Sequence, residues 1–207
     1  MPITGDMLRA AMRRVPSPVV VVTAADPEAE GMSRLRGMTV GSFTSVALEP
    51  PLVSFNVQHE ATMHALLRRK GARFAVNILS EEQAALAVHF AVPDTTGAEQ
   101  FGPVAHRTGA GGVPVLGGVL EVLYGQVESS AEAGDHSVFV GRVTGIERGA
   151  EGGPLLYHQS AYHGVGYEVG TGGPSPEALA AGESPSAETN RASSAKPLTP
   201  APKRAKS

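Results

Sequence analysis

The sequence predicts a mainly β protein, a compact β-barrel decorated by a few short helices. Three observations carry this. Most apolar runs are short and are either β-branched, as in "VVVVT" (19–23), or alternate with polar residues at period two, as in "LVSFNV" (52–57). Helical spacing is confined to short segments. The 25 glycines and 16 prolines punctuate the chain between the runs, and many short strands favour a closed barrel because closure leaves no exposed edge.

Met7, Leu8, Ala11, Met12 and Val15 recur at helical spacing, so 5–14 is expected to be an amphipathic helix packed on the body and ended by Pro16 and Pro18. The valine run 19–23 reads as a strand buried on both faces. A loop over 25–33 leads to "GMTVGSFTSVALEPPLVSFNV" (37–57), a strand-like run broken at Pro50-Pro51 and followed by the alternating strand 52–57. A helix is expected over 61–69 and a strand over 73–79. Ser80 and Gln83 have the spacing of a capping box, which opens a helix over 81–91 with Leu86 and Phe90 on its apolar stripe. The Gly- and Pro-rich 92–118 reads as loop. Strands near 119–128 and 137–146 flank the turn "AEAGD", and a short strand follows near 154–165. The body is expected to span 1–170. Beyond it, 171–207 holds six prolines and no aromatic residue, a composition too poor in apolar groups to offset ordering entropy, so this tail is expected to be disordered.

The 207 residues suit one globular domain with an appendage. Cysteine is absent, which excludes disulfides, thiolate nucleophiles, Cys-ligated zinc and iron–sulfur clusters; redox chemistry would need a bound cofactor. Net charge is −3, divided as −5 over the body and +2 over the tail. An acidic body without a basic stripe argues against nucleic acid. The basic residues that cluster in sequence, Arg34 and Arg36 with Arg68, Arg69, Lys70 and Arg73, read either as solvated surface or as a cradle for one phosphate-bearing small molecule. No run reaches the roughly 18 apolar residues of a membrane helix and no signal-peptide pattern opens the chain, so a cytoplasmic protein is expected.

Several motifs fail on spacing. In "HEATMH" the histidines His59 and His64 are five residues apart, about 140° on a helix, so they are expected to be surface residues and no metal site is expected. In "GAGGVPVLGG" the third glycine of a dinucleotide fingerprint falls on Pro114, which rejects a Rossmann fold. There is no nucleophile elbow and no P-loop. What remains is Thr39, Gly41, Ser42, Thr44 and Ser45. Hydroxyls and glycine fill cores poorly, but together they let a backbone approach a planar or phosphorylated ligand and donate to it. The residue types alone fit a Thr/Ser-rich edge strand equally well.

Four segments in order, "GMTVGSFTSVALEPPLVSFNV", "FAVNILSEEQAALAVHFA", "GDHSVFVGRV" and "PLLYHQSAYHGV", resemble the small flavin reductases that supply reduced flavin to two-component monooxygenases. The resemblance runs from about residue 5 to 166. It implies an FMN-binding split β-barrel of Greek-key type, usually a homodimer. It implies hydride transfer from nicotinamide C4 to flavin N5, with FMN or FAD as flavin, NADH or NADPH as donor and a monooxygenase as a possible partner. By the same resemblance Thr39, Val40, Gly41, Ser42 and Thr44 line the isoalloxazine. Asn56, Val57, Gln58 and Thr62 hold the ribityl chain and phosphate, while Asn77, His89 and Phe90 close over the flavin. His136 positions the nicotinamide, with Tyr157, His158 and Tyr162 beside it. Read by themselves, Asn77 is equally a bridge between backbone groups, Phe90 a core residue, and Tyr157 and Tyr162 interface aromatics. Gly41 departs from the side-chain-bearing residue common at its step. Cations are sparse over 59–64, so Arg68, Arg69 or a partner subunit is expected to supply charge to the phosphate. Two other readings fit such a barrel: an FMN-dependent oxidase with its own organic substrate, and a module that binds flavin without catalysis.

Overall fold

The valine run is the spine of the molecule. In the computed structural model, which describes residues 2–93 and 95–166, the elements are α1 (Gly5–Met12), β1 (Ser17–Pro18), β2 (Val20–Ala25), β3 (Leu35–Val40), β4 (Thr44–Leu48), β5 (Pro51–Gln58), α2 (Thr62–Leu67), β6 (Arg73–Ile78), α3 (Ala84–His89), α4 (Gly97–Phe101), β7 (His106–Thr108), β8 (Pro114–Leu116), β9 (Glu121–Ala133), β10 (His136–Arg148), β11 (Leu156–His158) and β12 (Ala161–His163). Residues Met1–Gly164 form one compact unit, described here; the tail expected over 171–207 lies outside the described residues.

Seven strands make one antiparallel sheet in the order β3-β2-β6-β9-β10-β5-β4. β3 and β4 follow each other in the chain, yet they stand at opposite edges of this order. Only Gly41, Ser42 and Phe43 join them, a reach of roughly 14 Å at most between Val40 and Thr44. The sheet must therefore curl until its two edges approach, which makes an open barrel with a seam at that corner.

Alternation along β2 divides the core. Val20 and Val22 pack inside the curl with Phe55, Phe74, Val76 and Phe139, and Met63, Leu66 and Leu67 of α2 join this cluster. Val21 points to the other face, where Leu79, Ala87, Phe90, Phe101, Val115 and Leu155 form a second cluster. A strand buried on both faces is what its continuous apolar run implies. Phe74 fills the inner curl because β9 and β10 carry glycine against it: a Cβ on Gly125 or Gly141 would stand 2.3 or 2.4 Å from its ring.

The structure departs from the sequence expectations at five places. Helix α1 buries no residue, and Met7, Leu8, Met12 and Val15 are each about half exposed, so its apolar stripe finds no partner within the chain. The helix expected over 81–91 opens as a 3-10 turn, Glu81–Gln83, with the Gln83 carboxamide oxygen accepting from Ser80 N at 3.1 Å. The loop expected over 92–118 holds α4, β7 and β8; Thr96 and Glu99 cap α4 reciprocally. Gly97 obscures that helix in the sequence, yet only glycine fits, since a Cβ there would lie 2.1 Å from the Met32 carbonyl oxygen. The hairpin strands β9 and β10 run to 13 residues each and turn on Gly134 and Asp135 alone, with His136 paired to Ala133. The segment near 154–165 is two strands, joined at Gln159 and Ser160, whose φ values of 49° and 64° suit a tight hairpin.

Candidate functional site

A cleft of about 710 Å³ opens at the seam. Arg36 to Val40 of β3 form one wall, with the corner residues Gly41 and Ser42; Asn56 and Gln58 of β5 and the segment from Glu60 to Met63 form another. Phe90 to Pro93, Thr95 and Gln100 close one end, and Ala133, His136 and Val138 of the β9–β10 hairpin close the other. Of the residues singled out in the sequence, Thr39, Val40, Gly41, Ser42, Asn56, Gln58, Thr62, Phe90 and His136 meet in this one space.

Local chemistry fixes the walls. At Gly37 the absence of a side chain admits the Phe90 ring, which a Cβ would approach to 2.6 Å. Buried Gln100 then satisfies the Gly37 backbone completely: its Oε1 accepts from Gly37 N at 2.9 Å, and its Nε2 donates to Gly37 O at 3.0 Å. Thr39 ties the same strand to α3, because its N–H donates to Phe90 O at 3.0 Å and its hydroxyl to Ala87 O at 2.7 Å. Edge strand β3 is thus covered by a helix end rather than left open. Across the seam, Ser42 Oγ accepts from Asn56 N at 2.9 Å. That bond uses an acceptor lone pair and leaves the Ser42 proton available to a ligand.

His136 begins β10 opposite Gln58, and its Nδ1 lies 2.6 Å from the Asp135 carboxylate. This hydrogen bond holds the Asp135 carboxyl below the usual carboxylate range. With Nδ1 engaged, Nε2 is the ring atom left for a ligand. Neighbouring His59 is tied to the same turn, its N–H donating to Asp135 O at 3.0 Å.

Other residues expected at the site lie elsewhere. Thr44 is exposed on edge strand β4, its hydroxyl turned to Ser45 O. Val57 alternates into the inner core, as the period of two requires beside Asn56 and Gln58. Asn77 is fully buried and bridges strands: its Nδ2 donates to Val21 O at 3.0 Å and Thr23 Oγ1 at 3.1 Å, and its Oδ1 accepts from Leu116 N at 2.9 Å. That is the backbone-bridging role open to it from the sequence. His89 turns to Gln100 O at 2.8 Å and supports the cleft from behind. Tyr157, His158 and Tyr162 sit on the small β1-β11-β12 sheet and do not line the cleft; the tyrosine ring centroids are 5.2 Å apart, and burial raises the Tyr162 phenol.

Two expectations about charge are corrected. Arg68 pairs with Glu132, and Arg69 with Asp26 and Glu28, and neither lines the cleft; among the described residues Arg36 is its one Arg or Lys. His64 is buried rather than on the surface, its Nε2 2.8 Å from Ser137 Oγ. The helical-angle argument does not reach His59, which precedes α2, and the two rings approach to 5.0 Å. Burial, then His59 and Arg68, push the His64 pKa below its ordinary value. Sequence reasoning passed over Met63 and Gln100, and held Arg36 only as one member of a basic cluster open to a phosphate. For Gln100 the signal was present in the Thr96–Glu99 capping pattern that places it on a helix; for Met63 no local pattern marks it.

The cleft fits a flavin on its own features. Its volume lies within the range of cofactor sites. The hydroxyls of Ser42 and Thr62 and the carboxamides of Asn56 and Gln58 offer donors suited to a ring edge and a polyol. Arg36 offers one guanidinium for a phosphate. Among the described residues no group of three His, Cys, Asp or Glu forms a metal site.

A cofactor-sized cleft at the seam of a curled antiparallel sheet, walled by backbone, hydroxyls and carboxamides, defines a nucleotide-cofactor-binding β-barrel. The flavin reductase-like domain model matches residues 12–166, and the chain belongs to that family. The flavin reductase of Pseudomonas putida is 35% identical over 162 residues, covering 78% of this chain and 91% of the relative. The reductase component of 4-hydroxyphenylacetate 3-monooxygenase from Thermus thermophilus is 36% identical over 157 residues, covering 76% and 94%. Among solved structures, the NADH:FAD oxidoreductase of Streptomyces globisporus in complex with NAD and FAD fragments superposes with a TM-score of 0.68 at 31% identity, covering 82% of this chain and 94% of that one.

Proposed function

We propose that the protein is an NADH-dependent flavin reductase that binds FMN in the seam cleft and supplies reduced flavin to a partner monooxygenase. The observation that carries this reading is the convergence on one cleft of three sequence-distant segments: 39–42, 56–62 and His136. A flavin held there by Ser42, Asn56, Gln58 and Thr62 would supply hydride-accepting chemistry toward a nicotinamide, which asks no acid, base or nucleophile of the protein. The chain's own task is to bind and orient. Thr39 and Gln100 hold the β3 wall rigid, and Ser42, Asn56, Gln58 and Thr62 supply neutral donors and acceptors. His136, aligned by Asp135, presents Nε2 to the nicotinamide side. A single guanidinium among the described residues of the cleft leaves little to recognise the 2′-phosphate that distinguishes NADPH, which supports NADH over NADPH.

The protein is further read as a cytoplasmic homodimer. No described helix is long and apolar enough to cross a membrane. The half-exposed apolar stripe of α1 supports a second copy as its cover. Steady-state assays with each donor and each flavin test the reading. Faster NADH than NADPH oxidation, dependent on added FMN, is expected. Tightly held FMN that turns over an organic substrate without NADH would point instead to an oxidase.

A further inference from the structure

The basic residues that cluster in sequence do not act together. Arg36 faces the seam cleft and Arg68 is paired with Glu132, but Arg34, Arg69, Lys70 and Arg73 line a separate cavity of about 190 Å³ that shares no residue with the cleft. We propose that this cavity is a second ligand site, for a phosphate group.

Four cations border the cavity and no carboxylate does. Arg69 is offset by Asp26 at 2.6 Å and Glu28 at 3.4 Å, whereas among the described residues Arg34, Lys70 and Arg73 enter no ion pair. Three uncompensated cations around one small space repel each other, and they stand on a body whose net charge is −5. A bound anion relieves that repulsion. The Arg34 Nε–H is sealed from solvent and has no hydrogen-bond partner, an arrangement that native structures seldom leave unexplained.

The backbone is shaped to the same end. Gly111 and Gly112 take φ values of 71° and 81°, and a Cβ on Gly111 would stand 2.8 Å from Arg73 Cδ. On Gly112 it would stand 3.6 Å from Arg34 Nη2. A side chain at either position would strain the turn, and at Gly111 it would also crowd the Arg73 side chain. The space is smaller than the roughly 300 Å³ at which clefts for whole cofactors begin, so it suits a head group rather than a nucleotide. Planar guanidinium forks with an ammonium beside them match a phosphate dianion. Inorganic phosphate and a small phosphomonoester share that head group.

Calorimetric titration of the full chain with inorganic phosphate, in a chloride-matched buffer without flavin, tests the site. Saturable binding with a Kd below about 1 mM is expected. Arg34→Gln and Arg73→Gln should each weaken it at least about tenfold, as expected for loss of a charge-assisted contact, with FMN affinity unchanged. Lys70→Gln, at an exposed position, serves the same purpose if Arg34→Gln does not fold. Binding should also persist at saturating FMN. Tighter binding of glycerol phosphate than of phosphate would identify a monoester as the ligand, and the reverse would identify free phosphate. Absence of saturable binding, binding displaced by FMN, or binding undiminished in all three variants would overturn the proposal. None of these readouts requires turnover, so they stand apart from the reductase reading.

Discussion

A methyl group at Gly37 would collide with the Phe90 ring, and the Gly37 peptide has no hydrogen-bond partner in its sheet on that side other than Gln100. Cleft wall and outer core therefore meet at one residue. Gly37→Ala is expected to cost about 1–3 kcal/mol through overpacking. Gln100→Ala is expected to cost a similar amount, about 1–3 kcal/mol, by leaving a buried donor and acceptor unmatched. Denaturant unfolding of both variants checks these values. Gly41 behaves differently: a Cβ there meets only Ser17 Cβ at 3.6 Å and Pro18 O at 3.9 Å, ordinary contacts. Gly41→Ser should fold normally, and tighter FMN binding is expected if position 41 reaches the ring. His136→Ala should raise the KM for NADH roughly five- to tenfold, about the worth of one hydrogen bond, while flavin affinity holds. An unchanged KM would remove His136 from the nicotinamide side.

At the scale of elements, α2 carries a buried histidine next to a cleft residue. Met63 lines the cleft and its neighbour His64 is buried against Ser137, beside the His59 ring, the Arg68 guanidinium and the Glu132 carboxylate. Because burial lowers the His64 pKa from 6.5, the unfolded chain binds its proton first as the solution is acidified. The stability that neutral His64 contributes is complete above pH 6.5 and declines as pH falls from there toward the lower folded-state value. The urea midpoint should fall with acidification in that window, and the fall should be smaller in His64→Gln. Identical pH profiles for the two proteins would remove His64 as its source. Period-two alternation made β5 legible as a strand, but Val57 was expected at the cleft with Asn56 and Gln58, whereas that same alternation turns it into the core. α4 was not legible, because Gly97 is selected by contact with the Met32 carbonyl and lowers helix propensity where the capping pattern is strong. The burial of His64 was equally hidden, since helical spacing says nothing of a histidine in the preceding turn.

For the whole molecule, a mainly β barrel was readable from run lengths and the family motifs, but that β3 and β4 are the strands meeting at its seam was not; it follows from pairings between residues far apart in sequence. Part of the cleft was found through the ordered motifs of a family, and among the expected residues that fall outside it Asn77 bridges strands and Val57 fills the core, roles set by the fold itself. The exposed stripe of α1 is expected to be covered by a second copy, so light scattering should give twice the chain mass, and Met7→Lys with Leu8→Lys should shift it to the monomer. Deleting 171–207 should leave turnover unchanged. We expect the seam cleft to bring flavin and NADH together. Anaerobic stopped-flow mixing of the protein and FMN with NADH, followed at the oxidised-flavin absorption band, tests this. Rapid bleaching that requires the protein is the expected result, and flavin that stays oxidised with both NADH and NADPH would contradict it.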